Sequence, residues 1–295
     1  MSKDIRIKKG LDIKLVGEAT LTTNKLPVKG MFALKPQDFH GIIPKLIAKE
    51  GTSVKAGESI FYSKSDDRIL FPSPVSGKVT EIIRGAKRKI ISIKITADGK
   101  QSFKDFGIKD ADKMSAEEVK NHLLNSGCWP FIKQRPFDVI ANPSQTPKAI
   151  FISAYASSPL AANYDYTLAG KEKELQAALT AISKLTTGSV HVSVGKDSNS
   201  PFSGLKNIQL HNVSGPHPVG NVSTQISQID PLNKGEVVWV INPHDLLVVG
   251  ELLLTGNFNF IRTLALTGSQ FEKPSYVTVV SGASISDVVA KKYKY

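Results

Sequence analysis

The densest chemistry in the chain lies at residues 128–137, Cys-Trp-Pro-Phe-Ile-Lys-Gln-Arg-Pro-Phe, where Trp129, Phe131 and Phe137 are interleaved with Lys133, Arg135 and two prolines. Aromatic faces stack on planar rings and a guanidinium donates to carbonyl oxygens, so the set suits a flat, carbonyl-bearing ligand. The same composition suits a linker pinned by its aromatics to the domains on either side, and both readings stand at this level. A second pair, Phe39-His40, sits in the loop-like run Pro36-Gln37-Asp38-Phe39-His40-Gly41, either against a planar ligand or as the cap of a core edge.

Other chemistries fail on composition. The loop Ser214-Gly215-Pro216-His217-Pro218-Val219-Gly220-Asn221 follows an apolar run, where an α/β fold places ligands. A phosphate-cradling loop works through free backbone N–H groups, however, and Pro216 and Pro218 remove two of them while no Lys-Ser/Thr pair follows. No GxGxxG occurs, so no tightly held flavin or nicotinamide nucleotide is expected, and His217 is expected to be structural. HExxH, GxSxG and a pocket pair of carboxylates are also missing, so neither a catalytic residue nor a metal site is expected, and no catalysis by this chain alone. The single cysteine, Cys128, excludes a disulfide frame, a cysteine-bound zinc and an iron–sulfur cluster held within the chain.

These residues need a scaffold, and 295 residues predict two or three domains. A content of 41% hydrophobic and 22% charged residues is that of a soluble globular protein. The net charge of +12 fits an anionic membrane surface, an acidic partner or simply a solvated basic surface. Nucleic acid is disfavoured, because the lysines are scattered and no aromatic-interleaved basic motif accompanies them. The tightest basic cluster is Arg84, Lys87, Arg88 and Lys89, beside a turn. The opening MSKDIRIKKGLDIKL alternates charge with aliphatic residues, which predicts no secretory signal and a cytoplasmic location. The most apolar run, 237–254, is broken by Asn242-Pro243-His244-Asp245 and carries Glu251, so no bilayer span is expected.

Residues 44–95 organise the first part. Val54, Ile60, Ile69, Val75, Val79, Ile82, Ile90, Ile93 and Ile95 mark short strands between glycines, predicting two small sheets packed face to face. The alternating pieces of 5–35 read as outer strands of the same sandwich. Ser115 with Glu118 makes a capping box for a helix over 116–125 that Gly127 ends. From 149 the period changes. Strands at 149–154, 190–194, 208–210 and 237–241 alternate with helices at 170–185 and, opened by Asn242-Pro243 and ended by Gly256, through 254. That alternation predicts a Rossmann-like α/β layer. Beyond 262, two strands and a helix starting near Ser284 cannot bury a core by themselves, so the last forty residues read as a domain cut short, and Lys291-Lys292-Tyr293-Lys294-Tyr295 supplies no natural ending.

The stretches 50–60 and 72–79 resemble the biotinyl/lipoyl barrel-sandwich pattern. A carrier of that kind presents a lysine at a hairpin tip. Here the tip reads Lys64-Ser65-Asp66-Asp67-Arg68-Ile69, with aspartates in the expected place of the lysine, so the fold is expected without its swinging arm. Together with KKGLDIKLVG, FPSPVSGKVTEIIRGAKRKI, WPFIKQRPFDVIANPSQTPKAIFISAYASSPLAAN, SGPHPVGNVSTQISQIDP and the 239–282 segment, the chain resembles the A subunits of the sodium-translocating NADH:quinone oxidoreductases (Na+-NQR) over essentially its whole length. RGAKR, RPF and GPHPxG are the most specific pieces.

The resemblance implies a peripheral subunit on the cytoplasmic face of the inner membrane. Its complex has six subunits, passes electrons from NADH to ubiquinone and pumps sodium. FMN, FAD, riboflavin and the iron–sulfur centre would sit on partner subunits, with none of them bound by this chain. The family's chain continues past residue 295, so these residues would be its N-terminal two-thirds. The expected domains are a barrel-sandwich β domain at 1–105, a helix and aromatic linker at 106–147, a Rossmann-like domain at 148–257 and the start of a β-grasp-like domain at 258–295. Against a quinone, the candidate residues are Phe39, His40, Trp129, Phe131, Arg135 and Phe137. The alternative is a purely structural docking subunit whose contacts come from Arg84, Lys87, Arg88 and Lys89.

Overall fold

Short β-branched runs punctuated by glycine and proline become strands in this chain, and runs with 3.6-residue periodicity become helices. The structure, a computed structural model, describes residues 2–290 and 292. The strands of its first third are β1 (Asp4–Arg6), β2 (Thr20–Lys25), β3 (Met31–Leu34), β4 (Pro44–Leu46), β5 (Ser53–Val54), β6 (Ser59–Ser63), β7 (Asp66–Pro72), β8 (Gly77–Arg84) and β9 (Ile90–Ala97). Helix α1 (Ala116–Ser126) leads into β10 (Lys133–Arg135), β11 (Val139–Ile140), β12 (Ile150–Ser153), α2 (Tyr164–Thr167) and α3 (Glu172–Ser183). Then follow β13 (Val190–Gly195), β14 (Gln209–Ser214), α4 (Val222–Ile229), β15 (Val238–Val240) and α5 (Pro243–Thr255), and finally β16 (Ile261–Leu266), β17 (Ser275–Val280) and α6 (Ile285–Val289). Among the described residues no helix is long and apolar enough to cross a membrane.

The sandwich consists of a four-stranded sheet, β3-β9-β8-β5, and a three-stranded one, β4-β6-β7. Both bury β-branched and aromatic side chains in one core, with Phe61 and Phe71 stacked at 4.4 Å between ring centroids. In the β6–β7 hairpin Ser63 faces Asp66, so the tip is the two-residue Lys64-Ser65. This corrects the expected tip: Asp66 and Asp67 already lie in β7, where the Asp66 carboxylate pairs with Arg68 at 2.7 Å. The basic cluster forms the β8–β9 turn, with Lys87 and Arg88 both at positive φ.

A seven-stranded sheet of order β1-β14-β13-β12-β15-β10-β11 carries the second domain. From β1 to β15 all pairs are parallel; β10 and β11 add an antiparallel margin. Succession runs outward from β12 through β13 to β14 on one side, then resumes with β15 on the other, so the winding reverses between β12 and β15. Strand β12 shows why both faces need cover. Ile150 and Ile152 join the core with Leu175, Leu179 and Leu246, while Phe151 points the other way into a cluster with Ile226, Ile229 and Val213. Gly250 lets α5 lie against α3, since a Cβ there would sit 1.9 Å from the Glu174 carbonyl oxygen.

Caps set the helix ends. Ser115 and Glu118 form the reciprocal capping box of α1. The Asn242 side chain accepts the His244 N–H with Pro243 in the first turn of α5, and Gly256 closes that helix in the left-handed region.

Residues 5–35 depart from expectation. Only β3 adds to the sandwich. Strand β1 pairs in parallel with β14 at the edge of the large sheet, where Ile5 completes the cluster of Val213, Ile226 and Ile229. Strand β2 pairs in parallel with β17, giving β16 and β17 a third neighbour. The C-terminal part therefore buries a small core of Leu266, Val277, Val279, Val288 and Val289. Alternation identified β1, whereas the alternating Ile13-Lys14-Leu15 lies in no strand and β2 is the polar Thr20–Lys25; which sheet edge each strand joins depends on distant partners. Of the closing Lys291-to-Tyr295 run, all but Lys292 lies outside the described residues.

Candidate ligand cavity at the reversal point

Where the winding reverses, the loops leaving β12 and β15 part, and a cavity of about 510 Å³ opens beside the antiparallel β10. Strand β10 contributes Lys133 and Arg135, two residues apart and hence on one face of the strand. The loop after β12 contributes Tyr155 and Ser157, and α2 contributes Tyr164. The starts of α4 and α5 supply Asn221, Val222, Asn242 and Asp245, so both helix N-termini turn their partial positive charge toward the space.

The charged lining is two cations, Lys133 and Arg135, and two carboxylates, Asp138 and Asp245. Burial pushes the Lys133 ammonium below its ordinary range, against the pull of Asp245 and Asp138. Its Nζ lies 5.5 Å from the Phe39 ring centroid and makes no ion pair among the described residues. Arg135 pairs at 3.4 Å with Asp138, while its buried Nε has no hydrogen-bond partner among the described residues. Burial raises the Asp245 carboxyl, opposed by the Arg262 guanidinium that pairs with it. Burial likewise raises the Tyr164 phenol, whose oxygen accepts from Asn242 Nδ2 at 3.2 Å.

The floor is held by hydroxyls. Ser153 Oγ donates to the Gly220 carbonyl at 2.8 Å and accepts from Gln225 Nε2 at 2.8 Å. Ser157 Oγ accepts the Gly220 N–H at 2.8 Å and shares a proton with His217 Nδ1 at 3.0 Å. His217 thus ties the β12 loop to the 214–221 loop, and Asp12 accepts its backbone N–H at 2.8 Å.

Of the six sequence candidates, Phe131 and Arg135 line this cavity. Phe39 lies behind it, edge-on to Phe71 at 4.6 Å and beneath Lys133. Trp129 is fully buried: its Nε1 donates to the Ala141 carbonyl at 2.8 Å and its ring meets Trp239 edge to face at 5.4 Å. His40 is exposed on its loop, and Phe137 is 77% exposed in the turn after β10. Lys133, Tyr155, Tyr164 and Asp245 line the cavity without having been among the candidates. The spacing of Lys133 to Arg135 was a signal, as was the position of Tyr155 just past a buried strand.

The arrangement offers three aromatic side chains, Phe131, Tyr155 and Tyr164, and two cations on one wall. Two family models match the chain: residues 5–98 fit the NqrA N-terminal barrel-sandwich hybrid domain and residues 114–258 fit the NqrA second alpha/beta domain. The chain belongs to the NqrA family. The NqrA protein of Neisseria meningitidis serogroup A, the A subunit of its Na(+)-translocating NADH-quinone reductase, is 34% identical over 288 residues, covering 97% of this chain and 64% of that protein. The corresponding protein of Yersinia pestis bv. Antiqua is 33% identical over 292 residues, covering 98% and 65%. The chain therefore spans just under two thirds of these NqrA relatives. The cavity falls wholly within the NqrA second domain. Among solved structures, the NAD+-reducing nickel–iron hydrogenase in its H2-reduced state covers 66% of this chain and 45% of its own at 11% identity and a TM-score of 0.41. At that likeness neither fold detail nor chemistry carries across.

Proposed function

We propose that the chain serves as the NqrA component of a sodium-translocating NADH:quinone reductase, peripheral on the cytoplasmic face of the membrane, and that the cavity at the reversal point receives the ubiquinone ring. FMN, FAD, riboflavin and the iron–sulfur centre belong, in this reading, to partner subunits. The order β14-β13-β12-β15 supports a Rossmann-like second domain, and β16, β17, β2 and α6 support a β-grasp-like third.

The observation that carries the quinone reading is the β10 wall: Lys133 without an ion-pair partner and Arg135 with an unmet N–H, among the described residues, facing Phe131, Tyr155 and Tyr164. A buried donor lacking an acceptor costs about 1–3 kcal/mol, and a ring carbonyl would relieve it. Aromatic side chains would sandwich the ring, and Lys133, which has no ion-pair partner among the described residues, would favour its reduced, more electron-rich form over the oxidised one.

Trp239, next to Val240 of the cavity wall, gives the test its signal. Saturable quenching of tryptophan emission by a short-chain ubiquinone, weakened about tenfold by Arg135→Ala, is expected. No saturation in the wild type would remove the quinone from this cavity and leave family membership standing.

A further inference from the structure

The segment between β1 and β2 carries the densest cluster of exposed aliphatic side chains among the described residues. Leu11, Ile13, Leu15 and Val16 are 71%, 56%, 56% and 74% exposed. Single exposed aliphatics are ordinary on a surface, but four within six residues form a patch.

The segment is nevertheless held in place. The Leu11 N–H donates to the His217 carbonyl at 3.0 Å, and Asp12 accepts the His217 N–H at 2.8 Å. Gly10 lies so close to His217 that a Cβ would stand 2.1 Å from its oxygen. At the far end the Gly17 carbonyl accepts the Gly268 N–H at 2.8 Å. Between these anchors, the backbone N–H groups of Ile13, Lys14, Leu15 and Val16 make no hydrogen bond among the described residues. Leu11, Ile13 and Leu15 repeat with the period of a strand, yet no strand among the described residues pairs with them.

Charge indicates what would pair. Lys8, Lys9 and Lys14 are exposed and make no ion pair among the described residues, whereas Asp12 is already engaged. We propose that residues 8–16 are a docking edge for an extended, acidic, apolar-alternating segment of a partner subunit, which adds to this edge as a β-strand. Successive N–H groups of an extended strand point to opposite edges, so its backbone would take the Ile13 and Leu15 N–H groups, its aliphatic side chains would cover Leu11, Ile13 and Leu15, and its carboxylates would meet the three lysines. A bilayer fits less well, because hydrocarbon would cover the aliphatics while leaving the same N–H groups without acceptors. The proposal rests on the reading of the chain as one component of a larger complex.

The test is amide hydrogen exchange on the full-length protein by itself, with anionic phosphatidylglycerol vesicles, and in the NADH:quinone reductase complex purified from membranes. The amides of Ile13 and Leu15 should exchange freely in the isolated protein and at least about 100-fold more slowly in the complex. Leu15→Pro, which deletes one N–H, and Ile13→Asp should each cut recovery of the protein with the complex at least about tenfold. Both isolated variants should melt like the wild type, since these side chains are exposed. A complex that forms with these amides still exchanging freely would overturn the docking edge and leave the reading of the chain as a component of the reductase intact. Protection by vesicles but not by the complex would overturn it in favour of a membrane contact. Failure of the wild-type chain to join any complex would overturn both.

Discussion

The Nδ1 atom of His191 stands 3.0 Å from the Nε2 atom of His211, and the other ring nitrogen of His211 accepts the backbone N–H of Lys3 at 3.0 Å. Because Nδ1 of His211 is an acceptor, its proton sits on Nε2 and is donated to His191, whose own proton must then be on Nε2. Two neutral rings thus form a hydrogen-bonded line from β13 through β14 to the residue just before β1.

The acid stability of the protein follows from this pair. Burial pushes both rings down to about 4, helped at His211 by the charge His191 would carry and at His191 by Lys3 against the pull of Asp230, and His244 is also pushed to about 4 by burial and by Arg262. The folded values lie below the unfolded value near 6.5, so the unfolded chain binds more protons between pH 6.5 and 4. Stability should be complete above 6.5 and fall as pH drops, by about 1.4 kcal/mol per pH unit for each proton taken up. Urea unfolding at pH 7.5, 5.5 and 4.5 measures the slope, and replacing His191 and His211 together by Phe and Asn should reduce it. A midpoint constant over that range would refute the depressed titration of these buried rings.

Trp129 should behave as a folding residue. Its indole is enclosed, bonded to Ala141 and set against Trp239. Trp129→Ala is expected to cost about 3–5 kcal/mol in denaturant unfolding. Trp129→Phe, which strands the Ala141 carbonyl, should cost about 1–3 kcal/mol. A Trp129→Ala protein of wild-type stability would contradict this placement.

The Asp245–Arg262 pair joins the first turn of α5 to β16 and so couples the second domain to the C-terminal sheet. Arg262→Ala leaves a mostly buried carboxylate uncompensated and should destabilise by about 3 kcal/mol, whereas Asp245→Leu with Arg262→Met should be near neutral. A double-mutant cycle by chemical denaturation checks both. Additive effects would mean that the two side chains are energetically independent.

What could be read from sequence divides along a physical line. Ser115 with Glu118, and Asn242-Pro243 with Gly256, marked helix ends within a residue of those observed, because capping is local. Strand β1 was visible as alternation, but its partner β14 lies about 200 residues away and nothing local encodes that choice; the alternating Ile13-Lys14-Leu15 forms no strand, while the polar Thr20–Lys25, with no apolar alternation, becomes β2 against β17. The hairpin tip slipped to Lys64-Ser65 because register, not composition, decides which residues turn. At the cavity, Phe131 and Arg135 came from one aromatic-basic run, while Tyr155, Tyr164 and Asp245 arrive from separate loops and helices that only the sheet order brings together. Trp129 has the right chemistry for a planar ligand, but its position in the turn after α1 sends its large ring into the core.

Within the cavity, effects on ligand binding should follow position rather than aromaticity. Lys133→Ala and Arg135→Ala should each weaken short-chain ubiquinone binding about tenfold, while His40→Ala and Phe137→Ala, both exposed, should leave it unchanged. Fluorescence titration of the four variants distinguishes them. A loss confined to Phe137 or His40 would move the site to the outer loops.

The most direct measurement is to tag the gene product in its own cells, solubilise the membranes gently and assay what is recovered with it. The account predicts co-purification with sodium-stimulated NADH:quinone reductase activity. Recovery as a lone protein with no such activity attached would contradict it.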